Sequence, residues 1–317
     1  MPFVFFMRTP TRETLAVMSP SSQPTASIHC GRDPAARLAV YTNHYQAQYG
    51  FEAVMVRARQ SVLAQGVQLY FQGLLPAHVV EIGCGSESLL VALKNQGIAL
   101  SGLRQWHCID PSDAFITQQK SQLDDAGLSW VDWSPELDIT SLTTPTVLFH
   151  HGFFETIAER WQATDTPPPL LPADWVICSS LLHELPQPET VLQAIHQTLD
   201  PTGLLHVNVP NAQSLHRQMA MAMGLIPTLD TFGERNTVLQ QAHVFSPERL
   251  NELLKLHGFL PIAQEGYLLK PFTHPQMEVI WPHLPEQAFA GLFALGQQYP
   301  DLASEMAIWA RRQPASS

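Results

Sequence analysis

Apolar positions along this chain follow two alternating rhythms. Short runs such as Val79-Val80-Glu81-Ile82, Trp106-His107-Cys108-Ile109, Trp175-Val176-Ile177-Cys178 and Leu204-Leu205-His206-Val207 are rich in β-branched and aromatic residues, as buried strands are. Between them the spacing changes to three and four. Val191, Leu192, Ile195 and Leu199 follow Pro188-Glu189, and Leu250, Leu253 and Leu254 follow Ser246-Pro247-Glu248, each an amphipathic helix with proline in its first turn. A third helix is expected over residues 112–126, a strand over 259–269 and a last strand over 305–310. Strand and helix in alternation predict an α/β fold, a doubly wound, Rossmann-like and mostly parallel sheet.

Several stretches break the alternation. Residues 35–70 read as a helical cap in which Val40, Tyr41, His44, Tyr45 and Tyr49 precede Phe51, Val54, Val56, Val62 and Leu63, with Gly50 between two helices. Tyr41, Tyr45 and Tyr49 recur every fourth residue. That is either a packing stripe or a way for Tyr45 or His44 to reach a ligand. Residues 212–244 and 274–298 are expected as helical inserts in a body covering 71–317, the first of them a substrate cover. Its methionines Met219, Met221 and Met223 either shape an adaptable pocket or pack a helix. Between Asp110 and Phe149 an irregular or hairpin insertion carries Trp130, Trp133 and Pro135. Residues 1–34, rich in Ser, Thr and Pro, are expected to be loosely ordered, and Met1 to Met7 lack the basic start of a signal peptide.

Composition narrows the class. With 317 residues and 45% hydrophobic positions, the chain can bury one sizeable core. An excess of 28 acids over 17 bases argues against a nucleic-acid binder, which needs a basic face. No apolar run approaches membrane-spanning length. Cys30, Cys84, Cys108 and Cys178 form no C-x-x-C pair, so they read as reduced thiols of a cytoplasmic protein.

Candidate chemistry gathers at the strand ends. In Val79-Val80-Glu81-Ile82-Gly83-Cys84-Gly85-Ser86-Glu87 an apolar run ends in an acid, and two alternating glycines lead into a helix. This is the strand–turn–helix entry to a nucleotide-cofactor site, where glycine lets a ligand approach the main chain. Ser86 is the expected cap of that helix, and Gly97 its stop. The third glycine of a dinucleotide fingerprint is absent, and Glu81 and Glu87 would repel a pyrophosphate. The ammonium and sulfonium of S-adenosylmethionine would suit them, so that cofactor is favoured over NAD. About 25 residues beyond Gly85, Asp110 ends the second strand before Pro111, placed to accept hydrogen bonds from ribose hydroxyls or to cap the helix that follows.

Further on, Asp174 to His183 read D-x-V-x-x-S-x-x-L-H, and Pro201 to Asn211 read P-x-G-x-L-x-x-x-x-P-N. With the glycine turn and Asp110 in this order, the chain resembles the class I S-adenosylmethionine-dependent methyltransferases over roughly residues 76–270. The likeness is strongest to the small-molecule group that includes the ubiquinone-pathway O-methyltransferases. The resemblance implies a seven-stranded sheet with an antiparallel last strand, and S-adenosylmethionine bound by Glu81, Gly83, Cys84, Gly85, Asp110, Pro111, Ser179 and Ser180, with Tyr45 from the leading helix. Glu87 stands where that family has its third glycine. The family's acid after strand three reads the adenine amine. Here Glu155 takes that role, or Phe153 and Phe154 pack the adenine face or the core.

Methyl transfer requires alignment and exclusion of water, and a hydroxyl acceptor also requires a base. His183, just after strand four, and His243, at the end of the first insert, are the candidates. His150-His151 is not expected to hold a metal, because adjacent strand residues point apart. The expected function is therefore methyl transfer to a small-molecule acceptor, at a hydroxyl oxygen, with neither nucleic acid nor membrane as partner. The alternatives are N-methylation and a non-catalytic S-adenosylmethionine-binding module.

Overall fold

The computed structural model describes residues 38–39 and 50–313, apart from 135, 143–144, 163–171, 234–235, 238 and 240. The apolar runs form β1 (His78–Ile82), β2 (Gln105–Asp110), β4 (Thr146–His151), β5 (Ala173–Ser179), β6 (Leu199–Pro210), β7 (Phe259–Gly266) and β8 (Glu305–Arg312). With β3 (Ser129–Asp132) they make one sheet in the order β3-β4-β2-β1-β5-β6-β8-β7. Every pairing from β3 to β6 is parallel, and β8 runs antiparallel to both β6 and β7.

The sheet thus has eight strands where seven were expected. The extra one, β3, occupies the stretch expected to be irregular or a hairpin. Ser-Trp-Val-Asp is too short and too exposed to show an apolar run. It exists because β4 offers a free edge and Trp130 packs edge-on against Phe149, 6.3 Å between ring centres.

Alternation along each strand builds two cores. Val80, Ile82, Val176, Cys178, Leu205 and Val207 face α4 (Phe154–Gln162), α5 (Pro188–Thr198) and α7 (Pro247–Leu256). Val79, Trp106, Cys108, Trp175 and Ile177 face the opposite way, against α1 (Phe51–Phe71), α2 (Leu89–Asn95) and α3 (Asp113–Asp125). Trp106, Trp175 and Trp309 are fully buried there, and truncating any one would cost about 3–5 kcal/mol. Gly66 lets α1 approach: a Cβ at that position would lie 2.0 Å from the Trp309 ring.

The leading cap is α1, which begins directly after Gly50 at φ 67°. The expected contributions of Tyr45, His44 and residues 1–34 lie outside the described residues. The insert at 274–298 supplies α8 (His274–Ile280) and α9 (Ala288–Gln298). Their Met277, Phe289 and Phe293 clamp the first half of α1 through Phe51, Met55 and Val62. The insert at 212–244 supplies α6 (Leu215–Ala222), which buries no side chain fully. Chain order reverses between β1 and β5, which opens a crevice at their carboxyl ends, where open α/β sheets bind ligands.

Candidate active site

The glycine turn is held from below and left open above. Gly83 and Gly85 adopt φ 70° and 65°, and the amides of Gly83 and Cys84 donate to the Ile109 carbonyl at 2.8 and 3.3 Å. From α3, the Gln119 side chain donates to the carbonyls of Cys84 and Gly85, and Gln122 to that of Ser86. Because these contacts keep Ser86 and Glu87 within the turn, the helix starts two residues later than expected. Its cap is Ser88, whose Oγ accepts from the Val91 amide, rather than Ser86. A Cβ added at Gly85 would meet nothing within 4 Å, so a ligand has room to lie on the main chain there.

Asp110 closes the turn. Its Oδ2 accepts from the Gly85 amide and its Oδ1 from the Ser112 amide, both at 2.9 Å. It does not cap α3, because the Ser112 hydroxyl accepts from the Phe115 amide instead. Each carboxylate oxygen keeps a second lone pair for a ribose hydroxyl. Burial pushes the Asp110 carboxyl up to about 6, against the pull of its two amide bonds. Glu81 accepts from the Trp106 indole N–H at 2.9 Å. Burial, with Asp110 adding to it, lifts Glu81 to about 8. A cation placed beside this pair would draw both back to the charged form.

One cavity of about 760 Å³ takes in this turn and much more, within the range of small-ligand sites. The expected cofactor residues Glu81, Gly83, Cys84, Gly85, Asp110 and Pro111 all line it, as do Ser179 and Ser180 at the end of β5. Phe153 and Glu155 lie part-buried on its wall, whereas Phe154 borders it from the core, packed with Ile109 and Ile157. These residues fit S-adenosylmethionine: an open glycine cradle, a carboxylate for the ribose, and acids for the ammonium and sulfonium.

Ser180 is held at φ 52°, outside the usual range for a residue with a side chain. Its amide donates to the Asn208 carbonyl, and its Oγ accepts from the Asn208 side-chain amide. Such outliers concentrate at functional sites. Three residues further on, His183 is buried at 3% exposure on the cavity wall, its Nε2 3.7 Å from Glu184 Oε1. Its carbonyl accepts the amides of Ala242 and His243, which ties the end of the insert to the β5 loop. The His243 ring is placed differently. It packs against Phe245 and faces the Leu185 and Pro186 carbonyls, away from the cavity wall. The methionines do not shape the pocket either: Met221 and Met223 point to solvent, and none of the three lines the cavity.

Another part of the lining was not read from the sequence. Arg59 on α1 grips Glu305 at the start of β8 through two bonds of 2.9 and 2.7 Å. Glu305 also accepts from Asn208 at 2.8 Å, and Glu52 stands 3.6 Å from Arg59 and 3.5 Å from His274. His216 and Arg217 on α6, with Lys270 after β7, complete this part of the lining. Burial, helped by Lys270, Arg217 and His274, pushes the His216 imidazole down to about 3, so it is neutral at physiological pH. One signal was available: Glu305 is a lone acid opening an otherwise apolar strand, Met-Ala-Ile-Trp-Ala. Among the described residues no group of three or more His, Cys, Asp or Glu is arranged to hold a metal ion.

No curated protein matches the chain. Solved structures align with the chain at low identity. The [4+2]-cyclase SpnF aligns with TM-score 0.50 and 15% identity, covering 81% of this chain and 82% of its own. A possible histamine N-methyltransferase from Thermotoga maritima aligns with TM-score 0.48 and 14% identity over 87% and 100%. Magnesium protoporphyrin IX methyltransferase from Synechocystis, solved with S-adenosylhomocysteine bound, aligns with TM-score 0.46 and 14% identity over 88% and 94%. The profile of the methyltransferase domain family matches residues 55–264, from within α1 through most of β7. With the greater part of its length matched, the chain belongs to the methyltransferase domain family and is an S-adenosylmethionine-dependent methyltransferase.

Proposed function

We propose that the protein methylates a hydroxyl oxygen of a small-molecule acceptor, with His183 as the base. The observation that carries this reading is the place of His183. It lines the same cavity as the glycine turn and follows a strained Ser180 at the strand end nearest the switch point. When bound, S-adenosylmethionine supplies a methyl group already activated by its sulfonium leaving group. The chain's own part is positional and protonic. Gly85 and Asp110 seat the nucleoside, and Phe153 and Glu155 border the adenine. Glu81 offsets the positive charge beside the turn, and the insert at 212–244 covers the acceptor and excludes water. His183 takes the hydroxyl proton on a ring nitrogen as the oxygen attacks, and Glu184 beside it favours the imidazolium that results. The motif order around β5 and β6 supports an acceptor of the kind handled by the ubiquinone-pathway group. The buried, unpaired thiols of Cys84, Cys108 and Cys178 support a reducing, cytoplasmic setting.

The test is incubation with isotope-labelled S-adenosylmethionine and a cell extract, followed by mass spectrometry for products that gain one methyl group. With the acceptor in hand, His183→Ala is expected to keep cofactor affinity and lose about 10²–10⁴-fold in turnover, whereas His243→Ala stays near wild type. Full activity in His183→Ala would remove the base from this reading. A product methylated on nitrogen would replace hydroxyl by amine, and no labelled product from any extract would leave a binding module.

A further inference from the structure

Near the end of the insert at 212–244, a chain of hydrogen bonds fixes which way one buried amide faces. The Gly233 amide donates at 2.8 Å to the Asn236 side chain. A main-chain N–H can only donate, so the atom it meets is Oδ1. The other arm of that carboxamide is therefore Nδ2, which donates to Gln241 Oε1 at 2.6 Å. The main chain holds the pair in register, because the Gln241 amide donates to the Asn236 carbonyl at 2.9 Å. With its oxygen engaged, the Gln241 side chain is left with Nε2 and its two hydrogens, for which there is no acceptor among the described residues.

Gln241 is 5% exposed and lines the cavity, as do Gly233 and Asn236. Polar groups at that depth are nearly always paired, so a fixed amide donor on a cavity wall points to a ligand. The next two residues tie it to the candidate base: the amides of Ala242 and His243 donate to the His183 carbonyl at 2.9 and 3.0 Å. His183 lines the same cavity. The Nε2 hydrogens offer nothing to an ammonium or to another N–H. A carbonyl oxygen, with two lone pairs in its plane, can accept them.

Given methyl transfer to a hydroxyl, on which this rests, we propose that Gln241 is a specificity residue that donates to a carbonyl oxygen of the acceptor. The acceptor is then a hydroxy-carbonyl compound, its hydroxyl at His183 and its carbonyl at Gln241. Asn236 is a positioning residue, which keeps the nitrogen of Gln241 rather than the oxygen toward the cavity. An analogue without the carbonyl would leave the buried donor unpaired and is rejected.

Calorimetry on the protein saturated with S-adenosylhomocysteine tests this. The probes are the three hydroxyacetophenone isomers, each paired with the ethylphenol of the same substitution, and 4-hydroxycyclohexanone paired with 4-methylcyclohexanol. Apolar burial alone favours the member of each pair that lacks the carbonyl. At least one ketone is nevertheless expected to bind about tenfold tighter than its partner. Gln241→Glu keeps an oxygen for Asn236 but puts a carboxylate oxygen where the donor was, and should abolish the preference. Asn236→Asp leaves Gln241 in place: the aspartate still accepts from Gly233, then accepts from Gln241 Nε2 and turns the Gln241 oxygen to the cavity. It should abolish the preference too. Affinity for S-adenosylhomocysteine should be unchanged in both variants, which also reports that they are folded.

Equal binding within every pair, no ketone bound up to about 10 mM, or a preference that survives Gln241→Glu would each overturn the proposal. Weakened S-adenosylhomocysteine binding in Gln241→Glu would also overturn it, by placing the donor on the cofactor. A preference kept in Asn236→Asp would overturn the positioning role. Failure of the unmodified protein to bind S-adenosylhomocysteine, or full turnover in His183→Ala, would instead count against the methyl-transfer reading, which the paired probes do not read.

Discussion

The two ends of one cavity were assembled in different ways. The centre of the cofactor end is built within a short span of chain: β1, the glycine turn, α2 and the tip of β2 lie inside residues 78–112, with α3 and the ends of β4 and β5 beside them. Its contacts are mostly main-chain, and its charged groups are acids raised by burial. The far end, proposed for the acceptor, draws Arg59 from α1, Asn208 from β6, His216 from α6, Lys270 from the loop after β7 and Glu305 from β8. Its framework is a buried side-chain network with basic groups around it. A cofactor common to many enzymes can be held by a local backbone device. An individual acceptor needs side chains gathered from wherever the fold brings them.

If that contrast is right, the largest loss of stability comes from the acceptor end. Arg59→Ala leaves Glu305, 6% exposed at its side chain, with a buried charge lacking its main partner. Denaturant unfolding should show a loss of about 3 kcal/mol, while the affinity for S-adenosylhomocysteine of the folded variant is unchanged. A stability change under a few tenths of a kcal/mol would mean that the network is not structural.

At the cofactor end, Asp110→Ala should act the other way round. It removes the acceptor for the Gly85 and Ser112 amides as well as for the ribose. Cofactor binding by calorimetry should weaken by about 1.5–3 kcal/mol. An unaffected affinity would detach Asp110 from the nucleoside.

A pH series sharpens the electrostatic half of the comparison, with opposite signs for binding and stability. Glu81 and Asp110 hold their protons up to about 8 and about 6 in the ligand-free protein. A cationic ligand prefers them ionised, so affinity for S-adenosylmethionine should tighten as pH rises toward about 8, at most tenfold per unit for each group. Ligand-free stability should fall over the same interval. The folded protein keeps protons that the unfolded chain, with ordinary carboxyls, has already released, and that contribution is complete only below the unfolded value. Glu81→Gln should flatten the upper part of both curves. Affinity that is level with pH in the wild type would show that Glu81 does not sense the cation.

The smallest expected effect tests the helix that follows the turn. Ser88→Ala removes the cap on the Val91 amide and should cost about 1 kcal/mol of stability, whereas Ser86→Ala costs less through that mechanism. The reverse order would restore Ser86 as the cap.

The sequence by itself determined the strand–helix alternation, the glycine turn and the acid that ends the second strand. Each shows in the local order of residues along the chain, where periodicity and turn chemistry state the element. Buried strands also announce themselves, because both faces must be apolar. The tertiary structure alone decided the rest. The strand β3 forms because β4 has an edge to fill, although Ser129–Asp132 has no apolar run of its own. His243 faces the Leu185 and Pro186 carbonyls because the end of its insert is pinned to the β5 loop. Arg59 and Glu305, 246 positions apart, meet because β8 returns antiparallel between β6 and β7 and brings Glu305 beside α1. Such a pair leaves no local spacing to read. It exists only once the sheet order has brought two distant segments together and made burying either charge alone too costly.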